Sequence, residues 1–299
     1  MKLLIDAGNT RIKWALADGM TRCAQASGGG MPSPRLLPRR EGGSEAAGHT
    51  PAYSSRVQSA GFARNVSEAD GRNDWLRSGI LPVGQAGELP DLFAGSPDIQ
   101  QIWVSNVAGE EVAHHIRNIA VGQPVQPRFI VAQEMQCGVR NGYSNAAQLG
   151  SDRWAALIAA WHLVQGKCLV VNCGTAITID ALSGQGEFLG GLILPGVELM
   201  QRSLAGATDQ LKSVHLKPGQ GKYEQFPLNT ADALFSGAIQ AGCGAIQRQH
   251  ILLGDGDAPV VLSGGAAGVL LGNINLPLRV VDNLVLQGLL LISQGSDAR

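Results

Sequence analysis

The sequence predicts an α/β fold in which mixed sheets are flanked by helices and one half of the chain repeats the plan of the other. Three observations carry this reading. A strand-turn-strand unit opens the chain, a second such unit recurs in its middle, and a strand-helix-strand crossover lies between them. At 299 residues, 44% apolar and 16% charged, the chain has room for two compact domains of ordinary globular composition.

Residues 2–17 read as a hairpin: Leu3, Leu4 and Ile5 lead into a Gly-Asn turn, after which Ile12, Trp14 and Leu16 alternate with Lys13 and Ala15. From about residue 21 to 74 the character changes to Gly, Pro, Ser and Arg, with Gly28-Gly29-Gly30, Pro32, Pro34 and Pro38, which reads as an insertion or long loop. Order returns with the strand Ile102-Trp103-Val104-Ser105, a helix over 110–121 and the strand Phe129-Ile130-Val131, compatible with a parallel crossover. A loop then carries Gly138 to Tyr143. The next helix starts at Ser151, which can cap it; Asp152 suits its first turn, Trp154, Leu157, Ile158 and Trp161 share a face, and its end is expected near Gly166.

Leu169-Val170-Val171 and Ala176-Ile177-Thr178-Ile179 form the second strand pair. Val171-Asn172-Cys173-Gly174 matches Ile5-Asp6-Ala7-Gly8 in strand, polar residue, small residue and glycine, with Gly8 and Gly174 separated by 166 residues. A helix after Pro195, a helix from about Thr230 to His250, the strand Pro259 to Leu262 and the turn Ser263-Gly264-Gly265 opening a helix complete the plan. Gly237, Ala241 and Ala245 give the second of these helices a face for close packing, within the subunit or between subunits.

The net charge of -1 gives no electrostatic reason to expect a nucleic-acid backbone or an anionic membrane as partner. The five cysteines, Cys23, Cys137, Cys168, Cys173 and Cys243, are scattered and include no C-x-x-C, which argues against a disulfide framework or zinc cluster. The apolar run before Asp6 is too short for a signal-peptide core, and no run reaches a membrane span. The expectation is a cytoplasmic protein.

A phosphate chain needs backbone N–H groups that approach closely, which favours glycine, and a carboxylate to hold the accompanying cation. Asp6, Gly8, Asn9 and Thr10 supply these parts, and Lys13 reaches the same anion unless its strand turns it to solvent. A plain hairpin explains the same pentapeptide. Gly174-Thr175-Ala176 is a second cradle, and Ser263-Gly264-Gly265 a third site of close backbone approach. No G-x-x-x-x-G-K-[ST], no G-x-G-x-x-G between strand and helix and no H-E-x-x-H is present, so Walker-type, Rossmann and zincin chemistry lose support. Asp152 suits either of two roles, a general base for an attacking hydroxyl or a charge that stabilises its own helix; Arg153 beside it suits an anionic substrate.

Taken in order, Asp6-Ala7-Gly8-Asn9-Thr10, Gly138 to Tyr143, Gly150-Ser151-Asp152-Arg153, Gly174-Thr175-Ala176, Gly190-Gly191 with Pro195-Gly196, Asn229-Thr230-Ala231 and Ser263-Gly264-Gly265 resemble the type III pantothenate kinases of bacteria. These belong to the superfamily of acetate and sugar kinases, heat-shock chaperones and actin. The resemblance implies two ribonuclease-H-like domains, residues 1–149 with the Gly/Pro-rich insertion and residues 150–299. It implies transfer of the ATP γ-phosphate to the 4'-hydroxyl of pantothenate, the first step toward coenzyme A, by a cytoplasmic homodimer. It also implies roles: Asp6, Ala7, Gly8, Asn9, Thr10, Arg11, Ile12, Lys13 and Thr175 toward ATP, Asp6 toward Mg2+, Asp152 as general base, and Tyr143, Gly150, Ser151, Asp152, Arg153 and Thr230 toward pantothenate. Where many relatives carry an aspartate this chain has Asn172, which leaves the monovalent-cation site, for K+ or NH4+, without a negative charge. A nucleotide-binding regulator of the same fold and a kinase for another hydroxylated substrate are the competing readings.

Overall fold

The computed structural model describes residues 1–18, 66–68, 75–94, 96, 99–121, 124–207 and 221–297. The segment 21–74, read from the sequence as an insertion, lies outside the described residues except for one short strand. The elements run β1 (Lys2–Ala7), β2 (Arg11–Ala17), β3 (Val66–Glu68), β4 (Arg77–Pro82), α1 (Leu89–Phe93), β5 (Gln101–Asn106), α2 (Glu110–Asn118), β6 (Pro127–Phe129), β7 (Met135–Gln136) and β8 (Val139–Arg140). They continue with α3 (Ser151–Val164), β9 (Cys168–Cys173), β10 (Ala176–Leu182), β11 (Phe188–Pro195), α4 (Val197–Ala207), α5 (Thr230–Leu253), β12 (Val260–Ser263), α6 (Ala267–Leu271), β13 (Leu278–Val280) and α7 (Leu284–Asp297).

The duplication expected from the two glycine turns is visible in strand order. One sheet is ordered β4-β2-β1-β5-β6 and the other β11-β10-β9-β12-β13-β3. In each, a leading strand pairs antiparallel with the next, which pairs antiparallel with a third. On its other side the leading strand pairs parallel with a crossover strand, which pairs parallel with the last. This is the ribonuclease-H-like plan twice over. The second sheet takes β3 onto its far edge through Val66, Ser67 and Glu68, so part of the presumed insertion is sheet.

Strand alternation then builds layers. Leu3, Ile5, Ala7, Ile12, Trp14 and Leu16 pack outward on α1 and α2. Leu169, Val171, Cys173, Ile177 and Ile179 pack outward on α5 and α6. The opposite faces, Leu4, Ala15, Ala17 and Trp103 from one sheet and Cys168, Val170, Leu182 and Val261 from the other, close on α3 and α7 between them. Helices and sheets therefore alternate in five layers. By the same alternation Asp6, Lys13, Ser105, Asn172, Asp180 and Ser263 face the middle layer.

Several local expectations change. α2 stops at Asn118, β6 ends at Phe129, and the stretch expected as a loop carries the short hairpin β7-β8. The N-cap of α3 is Gly150, not Ser151; the Ser151 hydroxyl is 3.0 Å from that of buried Ser105. α3 closes at Gln165 in a left-handed conformation, φ 48°, one residue before the expected glycine. α5 runs three residues past the expected His250 and is capped at both ends: the Asn229 side chain accepts from the Asp232 N–H at 2.9 Å, and Gly254, φ 70°, ends it.

Candidate active site

The three glycine turns converge. The first is closed by the Gly8 N–H donating to the Arg11 carbonyl at 3.1 Å, the second by the Gly174 N–H donating to the Ala176 carbonyl at 2.9 Å. Their threonines meet, with the Thr10 and Thr175 hydroxyl oxygens 2.6 Å apart. The third turn docks on the second, since the Ala266 N–H donates to the Cys173 carbonyl at 3.0 Å. Gly264 sits there at φ +102°, and a Cβ at that position would overlap the Cys173 carbonyl and lie 2.6 Å from its amide nitrogen. The Arg11 guanidinium lies against Gly265, closing the triangle between the first turn and the third. Lys13 does not simply face solvent: it is the register partner of Asp6 on the middle-layer face.

The first turn of α3 comes close to the first of these turns, since the Asp152 charge acts on Asp6 and the Ser151 hydroxyl meets that of Ser105 on the strand beside β1. Burial raises the Asp6 carboxyl to about 7, the neighbouring Asp152 charge adds to the rise, and Lys13 opposes it. Burial likewise raises Asp152, against the Arg153 N–H that donates to its Oδ1 at 2.8 Å. Two carboxylates that feel each other, bordered by glycine turns, are hard oxygen donors suited to a Mg2+ shared with phosphate oxygens. Among the described residues no cluster of three or more His, Cys, Asp or Glu could hold a metal ion.

Arg153 is buried at 6% exposure and is committed to a partner absent from the sequence reading. Its Nε and Nη2 both donate to Asp180, itself 1% exposed, with Nε 3.1 Å from Oδ2. Its Nη1 donates to the Tyr143 hydroxyl at 3.2 Å, and the guanidinium carbon lies 5.7 Å from the Phe188 ring centroid and 6.0 Å from that of Tyr143. Burial works against the guanidinium charge, but Asp180 and then Tyr143 outweigh it and hold Arg153 more firmly protonated than a free arginine. For Asp180, burial pulls toward the neutral acid and Arg153 toward the ion. The bidentate geometry makes the ionised pair the state described here.

Asp6 to Lys13, Thr175 and Gly150 to Arg153 thus gather at one end of the middle layer, with Tyr143 bonded to Arg153. Thr230 does not join them. It begins α5, exposed, in the layer outside the second sheet, and among the described residues no hydrogen bond links it to Tyr143, Asp152 or Arg153. Asn172 lies beside Gly264, as the second-sheet counterpart of Asp6.

Comparison with known proteins shows the family of the chain. The family model for type III pantothenate kinase matches residues 85–251. A type III pantothenate kinase of Nitrosospira multiformis is 47% identical over 228 residues, covering 75% of this chain and 85% of that protein. The chain belongs to the type III pantothenate kinases. That of Aromatoleum aromaticum is 38% identical over 295 residues, covering 98% of each. Among solved structures, a conserved Campylobacter jejuni protein provisionally described as a Baf family transcriptional activator superposes with a TM-score of 0.51 at 19% identity, over 99% of this chain and all of that one. That likeness shows the shared fold.

What sequence reasoning missed in this pantothenate kinase is Asp180, Ser105 and Phe188. The sequence marks Asp180 only as a polar residue inside an apolar strand; the register, with Thr178 opposite Asn172, shows that Thr178 and Asp180 point the same way as Asn172.

Proposed function

We propose that this chain transfers the γ-phosphoryl group of ATP to the 4'-hydroxyl of pantothenate, giving 4'-phosphopantothenate. The observation that carries the reading is the convergence of three glycine turns with two half-buried carboxylates, Asp6 near the end of β1 and Asp152 in the first turn of α3. Backbone N–H groups of Gly8 to Thr10 and Gly174 to Thr175, with Lys13, Arg11 and the two threonine hydroxyls, would hold the triphosphate. Mg2+ bound with the nucleotide supplies charge neutralisation at the phosphates. Asp6 is its protein ligand in this proposal.

Asp152 accepts the proton of the attacking hydroxyl, and the upward shift from burial brings its basicity closer to that task. Tyr143, Gly150, Ser151 and Arg153 frame the acceptor, with Arg153 toward its carboxylate. At Asn172 a monovalent cation would meet a neutral amide oxygen, so we expect weaker dependence on K+ or NH4+ than a carboxylate there would give. The two halves, 1–149 and 150–299, are proposed as two ribonuclease-H-like domains that share the middle layer and hold the nucleotide between their glycine turns.

We further propose a homodimer. Leu192, which follows its register partner Ile179 to the outer face of edge strand β11, Leu199 and Leu204 on α4, and Gly237 and Ala241 on α5 are all exposed. Thr230 falls on that α5 stripe and would act from there. Among the described residues no helix is long and apolar enough to cross a membrane, and we propose a cytoplasmic location. The deciding experiment is product analysis: purified protein with Mg-ATP and pantothenate should yield 4'-phosphopantothenate. Asp152→Asn should lower kcat by about 100- to 10,000-fold with the fold intact; near-wild-type turnover would remove Asp152 as base.

A further inference from the structure

The Asp180 carboxylate has no part in the reading above, and its surroundings are built around it. Asp180 faces the middle layer from β10 and takes both Nε and Nη2 of Arg153. A guanidinium has five N–H groups. Two are spent on Asp180 and one on the Tyr143 hydroxyl. One N–H on each terminal nitrogen is left without a partner among the described residues, and the Arg153 charge is close enough to the Asp152 carboxylate to act on it.

The register partner of Asp180 on β11 is Gly191. A Cβ at 191 would overlap the Asp180 carboxylate and lie 2.9 Å from Arg153 Nη2 and 2.6 Å from the Ile179 carbonyl oxygen. The ring planes of Phe188 and Tyr143, whose centroids are 5.4 Å apart, border the same guanidinium. Charge, hydrogen bonds and the missing side chain therefore all fix one orientation of Arg153. They leave free only the N–H groups that an incoming anion would use.

We infer that Asp180 and Gly191 together form the seat that aims Arg153 at the carboxylate of the acceptor, Asp180 as a positioning residue and Gly191 as the space the guanidinium occupies. This rests on the reading of Arg153 as the acceptor's anion partner. A free arginine would meet the carboxylate in many orientations; a seated one presents two N–H groups in a fixed plane beside the base, so that anchoring one end of the acceptor also aims its hydroxyl.

The test compares pantothenate with its amide analogue, which keeps the 4'-hydroxyl but replaces the carboxylate with an uncharged group. The readout is the ratio of kcat/KM for the two acceptors. Asp180→Asn, which is isosteric, and Gly191→Ala, which removes no charge, should each reduce that preference by about 10- to 100-fold, the worth of a charge-assisted hydrogen bond. KM for ATP should stay unchanged. The charge-balanced double variant Arg153→Met/Asp180→Asn reports on Arg153 itself. If it abolishes the preference while both single variants leave it intact, with turnover of the two acceptors falling equally, Asp180 is merely structural and the inference is overturned. If the double variant retains the preference, the reading of Arg153 fails and the inference with it. Two independent single variants keep the test open should either fail to fold.

Discussion

Asp6→Asn should stabilise the metal-free, nucleotide-free protein while removing its activity. The carboxyl is raised from 3.8 to about 7, chiefly by burial, and that difference corresponds to ~4 kcal/mol at about 1.4 kcal/mol per pH unit. Part of Asp6 remains accessible, and solvent screening reduces the figure to ~2–4 kcal/mol. Because the folded value lies above the unfolded one, the wild-type protein has the full contribution below about pH 4 and loses it as pH rises through about 7. Asparagine does not titrate. The variant's advantage should therefore be larger at pH 8 than at pH 5 by ~2 kcal/mol, read as a pH-dependent gap between the two thermal unfolding midpoints. Adding Mg-ATP should stabilise the wild type and leave the variant nearly unchanged. An advantage equal at both pH values, or none at pH 8, would refute the view that burial strains this carboxylate.

Two further substitutions test the architecture. Gly264→Ala forces a side chain into the Cys173 backbone at a positive φ, and it should raise KM for ATP and lower the unfolding midpoint together, checked by initial rates and a thermal melt. Gly288→Ala on α7 would overlap the Ala155 carbonyl on α3; overpacking of this kind costs about 1–3 kcal/mol, visible in urea unfolding, and it should lower kcat because α3 carries Asp152.

The two hairpins were legible because each alternates and carries a glycine where the chain must turn; α3 was legible from its Ser151-Asp152 start and its length, although Trp154 to Ala160 are buried on every side. β11 was not, since Gly190-Gly191 breaks the alternation of Phe188 to Pro195, and the structure shows why glycine stands there: the Arg153–Asp180 pair fills the space. α7 was invisible for the opposite reason. Leu284, Val285, Leu286, Leu289, Leu290 and Ile292 are all buried in the layer between the sheets, so no polar face marks a helical period. Gln165 ended α3 in a conformation usually given to glycine, which no pattern announces. Of the site, the residues that meet ATP in our proposal lie in turns with a recognisable composition. Asp180 and Ser105 are isolated polar residues inside apolar strands, and only the sheet register tells which way they point.

The shared middle layer makes packing and catalysis inseparable in this enzyme. Trp154 and Ile158 wall the common core on the same helix whose first turn mounts Asp152. A substitution there shifts a lever whose other end is the base. Loss of turnover from such a change, in a protein that still melts normally, is a fault of alignment, and restoring the volume at a facing residue on α7 should recover it without any change at the site itself.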